Sequence, residues 1–253
     1  MVKSVGCLAQ QRTTRFGVRP EFFPLPLLLA AMASPHPLIL VPTAGESELI
    51  AEAFAHAGRP DLVIDHCGFG PIAAAAQTAD LLARKSPAAV WLVGIAGRFC
   101  ETLEVGQAYR FGQVACHGVG VGTGLTFTSA AELGWPQCPG DAGGESSHPQ
   151  GDTLSLATAA IDPASSVRLL LTVCSASADS NEAAARQARW PTAVAEDMEG
   201  FGVALACRLR QVPCTIVRGI SNHVGDRDKS NWQMAAAARS AADLVLTSLE
   251  GWT

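Results

Sequence analysis

The stretch TIVRGISNHVGDRDKSNW, residues 215–232, runs from an apolar segment straight into polar and charged residues. A buried strand that ends abruptly has this appearance, and in open α/β sheets ligands collect beyond the carboxyl ends of strands. Ser221, Asn222 and His223 would sit at such an end, with Gly225, Asp226, Arg227 and Asp228 in the turn that follows. The same figure recurs upstream. Gly45-Glu46-Ser47-Glu48, Gly68-Phe69-Gly70, Gly94-Ile95-Ala96-Gly97, Ser175-Ala176-Ser177 and Glu196-Asp197-Met198-Glu199 each close an apolar run, so these strand ends would line one cleft.

The segments between them alternate in kind. PLILVPTA (37–44) reads as a strand and SELIAEAFAHAG (47–58) as a helix capped by Ser47 and stopped by Gly58. DLVIDHCGFG is a second strand. PIAAAAQTADLLARK (71–85) is a helix opened by a proline, whose missing N–H is no loss in the first turn. AAVWLVGIAG (88–97) reads as a fully buried strand, and 107–118 as a strand crossing the domain. Residues 119–155 are rich in Gly, Ser and Pro with no period, which marks a functional or disordered loop. SVRLLLTVCSAS (166–177) is a strand, NEAAARQARW a helix, TAVAEDMEG a strand, GFGVALACRLR a helix and TIVRGIS a strand. A helix from about Trp232 to Leu249 follows. Strands and helices interleaved in this way predict an α/β fold: a single domain with a twisted mixed β-sheet flanked by helices.

Composition narrows the partner. A net charge of −5 and a single Tyr in 253 residues argue against a nucleic-acid surface, and no run reaches the roughly 20 apolar residues of a membrane span. A small molecule is the expected partner. Of the eight cysteines, Cys67, Cys116, Cys174, Cys207 and Cys214 lie within apolar runs and none forms a CxxC pair. They read as reduced core residues of a cytoplasmic protein. The six histidines show no HExxH or zinc spacing, so no metal is expected. GxxxxGK[ST] and GxSxG are both absent. The GFG at 68–70, followed by a proline and a helix, offers a conceivable phosphate cradle. Cys116 and His117 would make a nucleophile pair only with a third member that nothing positions.

Residues 1–36 stand apart as an N-terminal extension to a domain at 37–253. Lys3, Arg12, Arg15 and Arg19 precede LPLLLAAMA, which ends in Ala31-Met32-Ala33 and so fits a weak secretory signal. Met32 also opens MASPHPLILV, a natural start for the first strand, which favours a mis-assigned start or a disordered arm.

In order and in motif, residues 37–250 resemble the nucleoside phosphorylase and hydrolase superfamily that includes methylthioadenosine/S-adenosylhomocysteine nucleosidase. AEDMEGFGVALAC resembles the family's ribose-binding Met-Glu pair, and IVRGISN the strand that presents its purine-binding side chain. GFGPIAAAA and VGIAGRF resemble its glycine-rich strand ends. RGISNHVGDRDKSNW, with its SN, Gly-x-Arg-Asp and Trp, resembles the futalosine hydrolase branch of menaquinone biosynthesis. The resemblance implies a nucleoside phosphorylase-like fold, hydrolysis of futalosine to hypoxanthine and dehypoxanthine futalosine, no cofactor, and a homodimer or larger homo-oligomer. Three alternatives accompany it: an adenine-releasing nucleosidase, phosphorolysis with Arg98 as the phosphate ligand, and a non-catalytic nucleoside-binding protein.

Roles carry over residue by residue. Glu48 would deprotonate the attacking water, with Glu46 as its rival. Glu199 would hold the ribose hydroxyls, with Met198 against the sugar and Asp197 and Ser221 beside them. Ala96 and Gly97 would bring backbone close to the base and sugar. Asn222 would face the purine edge, and Arg227 would help bind the carboxylate of the substrate's aromatic tail. Arg218 would be a buried ion-pair partner of Asp197 or Glu199. An amide at residue 222 can donate to N7 and to an acceptor at position 6 but cannot act as an acid, which suits a 6-oxopurine better than adenine.

Overall fold

A computed structural model describes residues 37–138, 150–157 and 168–249, all within one compact unit, Ala33–Thr253. The extension expected over 1–36 lies outside the described residues. In chain order the elements are β1 (Leu38–Val41), α1 (Ala44–His56), β2 (Ile64–His66), α2 (Pro71–Lys85), β3 (Val90–Arg98), β4 (Ala108–Phe111) and β5 (Gln113–Cys116). There follow β6 (Gly120–Val121), β7 (Thr128–Ser129), β8 (Thr153–Ser155), β9 (Leu169–Thr172), α3 (Ser180–Arg189), β10 (Ala193–Asp197), α4 (Gly200–Leu209), β11 (Cys214–His223) and α5 (Met234–Leu249).

The main sheet is mixed, as the interleaved pattern predicts. β1 runs parallel to β2 and β3, and β3 parallel to β11. β9 is parallel to both β5 and β10, while β10 meets the end of β3 antiparallel, at Gly97 and Arg98. β4 and β8 pair antiparallel with β11 and β5.

Side-chain alternation explains why the central strands are apolar throughout. Leu38 and Leu40 of β1, Val90 and Leu92 of β3 and Ile216 of β11 pack in one cluster with Leu81 and Leu82 of α2 and Phe201 and Val203 of α4. Ile39, Val41, Trp91, Val93 and Val217 pack in the other, with Ile50 and Phe54 of α1 and Ala238 and Val245 of α5. With a period of two, both faces of these strands are covered, and a strand buried on both faces reads as a continuous apolar run. α2 and α4 cross closely enough that only glycine fits at residue 202, where a Cβ would collide with the carbonyl of Pro71 and lie 3.1 Å from Ala75 N.

Four expectations are corrected. α1 begins at Ala44 with Thr43 as its cap, not Ser47. The strand foreseen over 107–118 is broken at Gly112 into β4 and β5, which pair with different partners. The aperiodic 119–155 segment carries β6, β7 and β8, with 139–149 outside the described residues. Cys174 is exposed rather than part of the core, whereas Cys67, Cys116, Cys207 and Cys214 are buried.

Candidate active site

The ends of β1, β3, β10 and β11 and the loop after β2 enclose a cleft of about 390 Å³. A larger hollow of 530 Å³ near Leu154, Arg208 and Pro213 has no cluster of ionisable groups, so the chemistry belongs to the strand-end cleft.

The floor is built around Arg218, a fully buried residue of β11. Its Nε and Nη2 donate to Asp197 Oδ2 at 3.1 and 2.6 Å, and Nη2 also donates to Glu199 Oε2 at 3.2 Å. Arg218 therefore bridges both carboxylates between which the sequence left a choice. Asp197 accepts further bonds from Thr172 Oγ1 at 2.6 Å and Gly200 N at 2.9 Å. Both its oxygens are thus engaged by protein donors. Asp197 reaches the cleft wall as expected, but its chemistry there is to hold Arg218. Thr172 Oγ1 in turn accepts from Phe201 N at 2.8 Å and ties the network to the start of α4.

Glu199 is 4% exposed, and its Oε1 accepts from Gly70 N at 3.0 Å. The backbone of the GFG loop is therefore aimed at a carboxylate, which removes the phosphate-cradle reading. Burial pushes the Glu199 carboxyl up to about 7; Arg218 pulls the other way, and Asp197 and Glu46 add to the rise.

Glu46 lies opposite. Its Oε1 accepts from Ile95 N at 3.0 Å, and its Oε2 from the hydroxyl of Thr43 at 2.7 Å, while Glu46 N donates back to Thr43 Oγ1 at 3.3 Å. Thr43 thus caps the start of α1 as in the first half of a capping box, but the Glu46 carboxylate turns to the Thr43 hydroxyl and Ile95 N rather than to the Thr43 backbone N–H. Glu46 is 7% exposed and lines the cleft; Glu48 is exposed and does not. Two residues along a helix are about 200° apart, so the two carboxylates cannot share a face. The placement of Glu48 in the cleft is thus corrected in favour of Glu46. Arg218 Nη1 finds no acceptor among the described residues and points into the space over Gly94 that Glu46 shares. A Cβ at residue 94 would collide with Nη1 and lie 2.7 Å from Glu46 Oε1, so glycine is what lets the two groups approach.

β11 delivers two neighbouring residues to the cleft. Its register against β3 shifts between Ile220, opposite Ala96, and Asn222, opposite Gly97. Ser221 is the additional residue of this bulge, a device that re-aims side chains beside active sites. Ser221 Oγ lies 2.7 Å from Asn222 Oδ1 and 3.3 Å from Ala96 O. Asn222 Nδ2 donates to His223 O at 2.7 Å and to Asp226 O at 3.3 Å. Asn222 is therefore at the cleft wall as expected, with its amide also holding the turn beyond the strand. Ala96, Gly97, Met198 and Arg227 line the cleft too, joined by Lys229 and Trp232.

Other candidates fall outside. Arg98 donates to Leu103 O, contacts His223 and pairs with Glu101 at 2.7 Å, away from the cleft. Burial pushes the Cys116 thiol up to about 12 and lowers His117, whose Nδ1 accepts from Trp190 Nε1 at 3.2 Å. That pair is no nucleophile. Glu196 is bound by Ser177 and by Arg186 at 2.8 Å, which fixes the Ser175–Ser177 segment at the wall. Among the described residues no group of three or more His, Cys, Asp or Glu could hold a metal ion, and no helix is long and apolar enough to cross a membrane. Sequence reasoning passed over Thr43 and Lys229; Thr43-Ala44-Gly45-Glu46 carried the capping-box signal for the first.

A strand-end cleft of this size, with buried carboxylates around one shared arginine, defines a small-molecule enzyme rather than a surface-binding protein. The chain belongs to the phosphorylase superfamily, whose family model matches residues 50–250. It is 29% identical over 240 residues to the futalosine hydrolase of Streptomyces coelicolor, covering 86% of this chain and 97% of that one. It is 28% identical over 200 residues to the 5'-methylthioadenosine/S-adenosylhomocysteine nucleosidase of Colwellia psychrerythraea, covering 75% and 79%. Its fold is similar to that of Helicobacter pylori futalosine hydrolase, with a TM-score of 0.65, 15% identity, and 84% and 96% of the two chains covered.

Proposed function

We propose that this protein hydrolyses the N-glycosidic bond of a purine nucleoside, with Glu46 as the base and futalosine as the substrate. The observation that carries the reading is the meeting of Glu46 and Arg218 Nη1 over Gly94. Glu46, which lines the cleft, accepts from a water on its open side, while the Arg218 guanidinium, sealed from solvent behind it, steadies the charge of the carboxylate. As the bond from C1′ to the purine nitrogen breaks, its electron pair leaves with the base and positive charge grows on the sugar. Water oxygen then bonds to C1′ and Glu46 takes its proton; the purine departs as an anion and is protonated from solvent, to which Glu46 returns the proton it took. Glu199 accepts hydrogen bonds from the ribose hydroxyls, and the buried carboxylates stabilise the developing cation where little water screens them.

Hydrolysis is favoured over phosphorolysis by charge. Arg218 is already balanced by Asp197 and Glu199, so a phosphate dianion entering the nucleophile's position would face the Glu46 carboxylate with no free cation beside it. A binding role without turnover has no use for a carboxylate oriented in this way. Asn222 supports a 6-oxopurine. Its amide holds the carbonyls of His223 and Asp226, at 2.7 and 3.3 Å, and rotation of the side chain away from them would present its hydrogens to N7 and O6 of the base, while no proton can come from an amide. The likeness to the Colwellia nucleosidase makes adenine nucleosides the necessary comparison.

The test is base release from futalosine, aminodeoxyfutalosine, methylthioadenosine and inosine, with and without phosphate. Hypoxanthine from futalosine is expected to appear fastest, at a rate indifferent to phosphate. Faster release of adenine overturns the substrate, and a requirement for phosphate overturns hydrolysis.

A further inference from the structure

We infer that Arg227 and Lys229 form an anion-binding rim that selects nucleosides whose 5′ substituent carries a carboxylate; this rests on reading the cleft as a nucleoside site. The turn after β11 holds two acids and two cations, and the structure uses them differently. Asp226 Oδ1 accepts from Asp228 N at 2.9 Å and its Oδ2 from Asn231 Nδ2 at 3.1 Å. Asp228 Oδ1 accepts from Ser230 N at 3.0 Å and from Ser230 Oγ at 2.7 Å. These acids are bound to the turn itself.

The cations are not. Among the described residues, the Arg227 guanidinium has only the face of Trp232, 5.1 Å from its centroid, and the Lys229 ammonium has no hydrogen bond or ion pair. Both line the cleft. Trp232 is fixed in turn by Nε1 donating to Asp226 O at 3.1 Å, and it gives Arg227 a place to rest beside the opening. The turn thus presents two uncommitted positive charges and one flat aromatic surface at the mouth.

Which end of a nucleoside meets this rim follows by elimination. With the base at Asn222 and the ribose hydroxyls at Glu199, the 5′ carbon is the remaining position from which a substituent reaches outward. The floor carries Glu46, Asp197 and Glu199 against the single charge of Arg218, in a chain of net charge −5. A carboxylate approaching that floor is repelled unless cations stand at the mouth. A neutral 5′ group has no need of them.

The test compares futalosine with its carboxyl methyl ester, which shares base, sugar and tail and lacks only the charge. Binding is measured by titration calorimetry on the Glu46→Gln protein at low and high salt, with base release followed in the same samples. The acid should bind roughly tenfold tighter than the ester, as charge-assisted bonds to two cations imply. That advantage should shrink with salt and vanish in the Arg227→Ala, Lys229→Ala double variant, with ester affinity unchanged within about twofold. Equal affinity for acid and ester, loss of both ligands together in the double variant, or binding of neither overturns the rim. If Glu46→Gln protein keeps more than about a tenth of the parent kcat, the catalytic assignment falls, and the ratio of KM values for acid and ester then decides the rim by the same criterion.

Discussion

Glu46→Gln isolates the catalytic proposal with little disturbance to the fold. Glutamine has the same shape and keeps an oxygen to accept from Ile95 N, a bond now 3.0 Å long, while its amide can donate to Thr43 Oγ1 in place of the bond that Oε2 accepts. What it removes is the ability to take a proton from water. General bases contribute about 10²–10⁴ in rate, so kcat should fall by that factor, equivalent to about 3–5 kcal/mol of barrier. KM should change far less, because the side chain is assigned to water rather than to the nucleoside. Glu48→Gln is the matched control: its exposed carboxylate lies on the other side of α1, and its rate should remain within about twofold of the parent. The assay is hypoxanthine release from futalosine under saturating conditions, with far-ultraviolet circular dichroism and a thermal melt to establish that both variants fold. A Glu46→Gln enzyme keeping more than about a tenth of its kcat, or a Glu48→Gln enzyme losing as much as its neighbour, would refute the reasoning.

Glu199 gives a prediction in pH. Its carboxyl is raised to about 7, so kcat/KM should climb as pH rises through 7 and the carboxylate becomes available to both ribose hydroxyls; Glu199→Gln should lose that limb. The same shift bears on stability with a definite sign: the native state binds this proton more tightly, so the contribution is complete below the ordinary value of 4.5 and lost as pH passes 7. The melting temperature of the parent minus that of Glu199→Gln should therefore be more positive at pH 5 than at pH 8, and a difference of opposite sign counts against the assignment. Thr172→Val strips a donor from Asp197 and an acceptor from Phe201 N, and urea unfolding should show a loss of about 1–3 kcal/mol; a loss under about 0.5 kcal/mol would mean the network does not depend on it. Gly202→Ala drives a methyl into the Pro71 carbonyl where α2 and α4 cross, and calorimetry should find destabilisation of about 1–3 kcal/mol or more, against no change if the helices simply part.

Much of this was legible because burial on both faces leaves a plain mark. VWLVGIAG and TIVRGIS could be read as central strands without knowing their neighbours, and Pro71 and Lys85 bound α2 where the sequence placed it. The carboxylates of EDMEG were conspicuous because they follow an apolar strand. Two things were obscured. The cap of α1 reads as Ser47 rather than Thr43, and the family resemblance, which over TAGESE allows a shift in alignment, points to the exposed Glu48 in place of the buried Glu46. The bulge at Ser221 left no mark either, because an extra residue in a strand shows only against its partner. Likewise, which charges in GDRDK are held by the turn and which are free depends on bonds to backbone N–H groups that composition cannot reveal.

That bulge separates two duties that a regular strand would couple. Upstream of it, the pairing of β11 with β3 fixes Arg218, and through it both carboxylates of the floor; downstream, the pairing resumes one residue out of step, with Asn222 opposite Gly97. On the proposed assignment of Asn222 to the base, a change of residue 222 alters which leaving group is read while the pairing that fixes Arg218 stays in register. Base preference becomes a replaceable part, and selection, natural or in the laboratory, can retune it one substitution at a time.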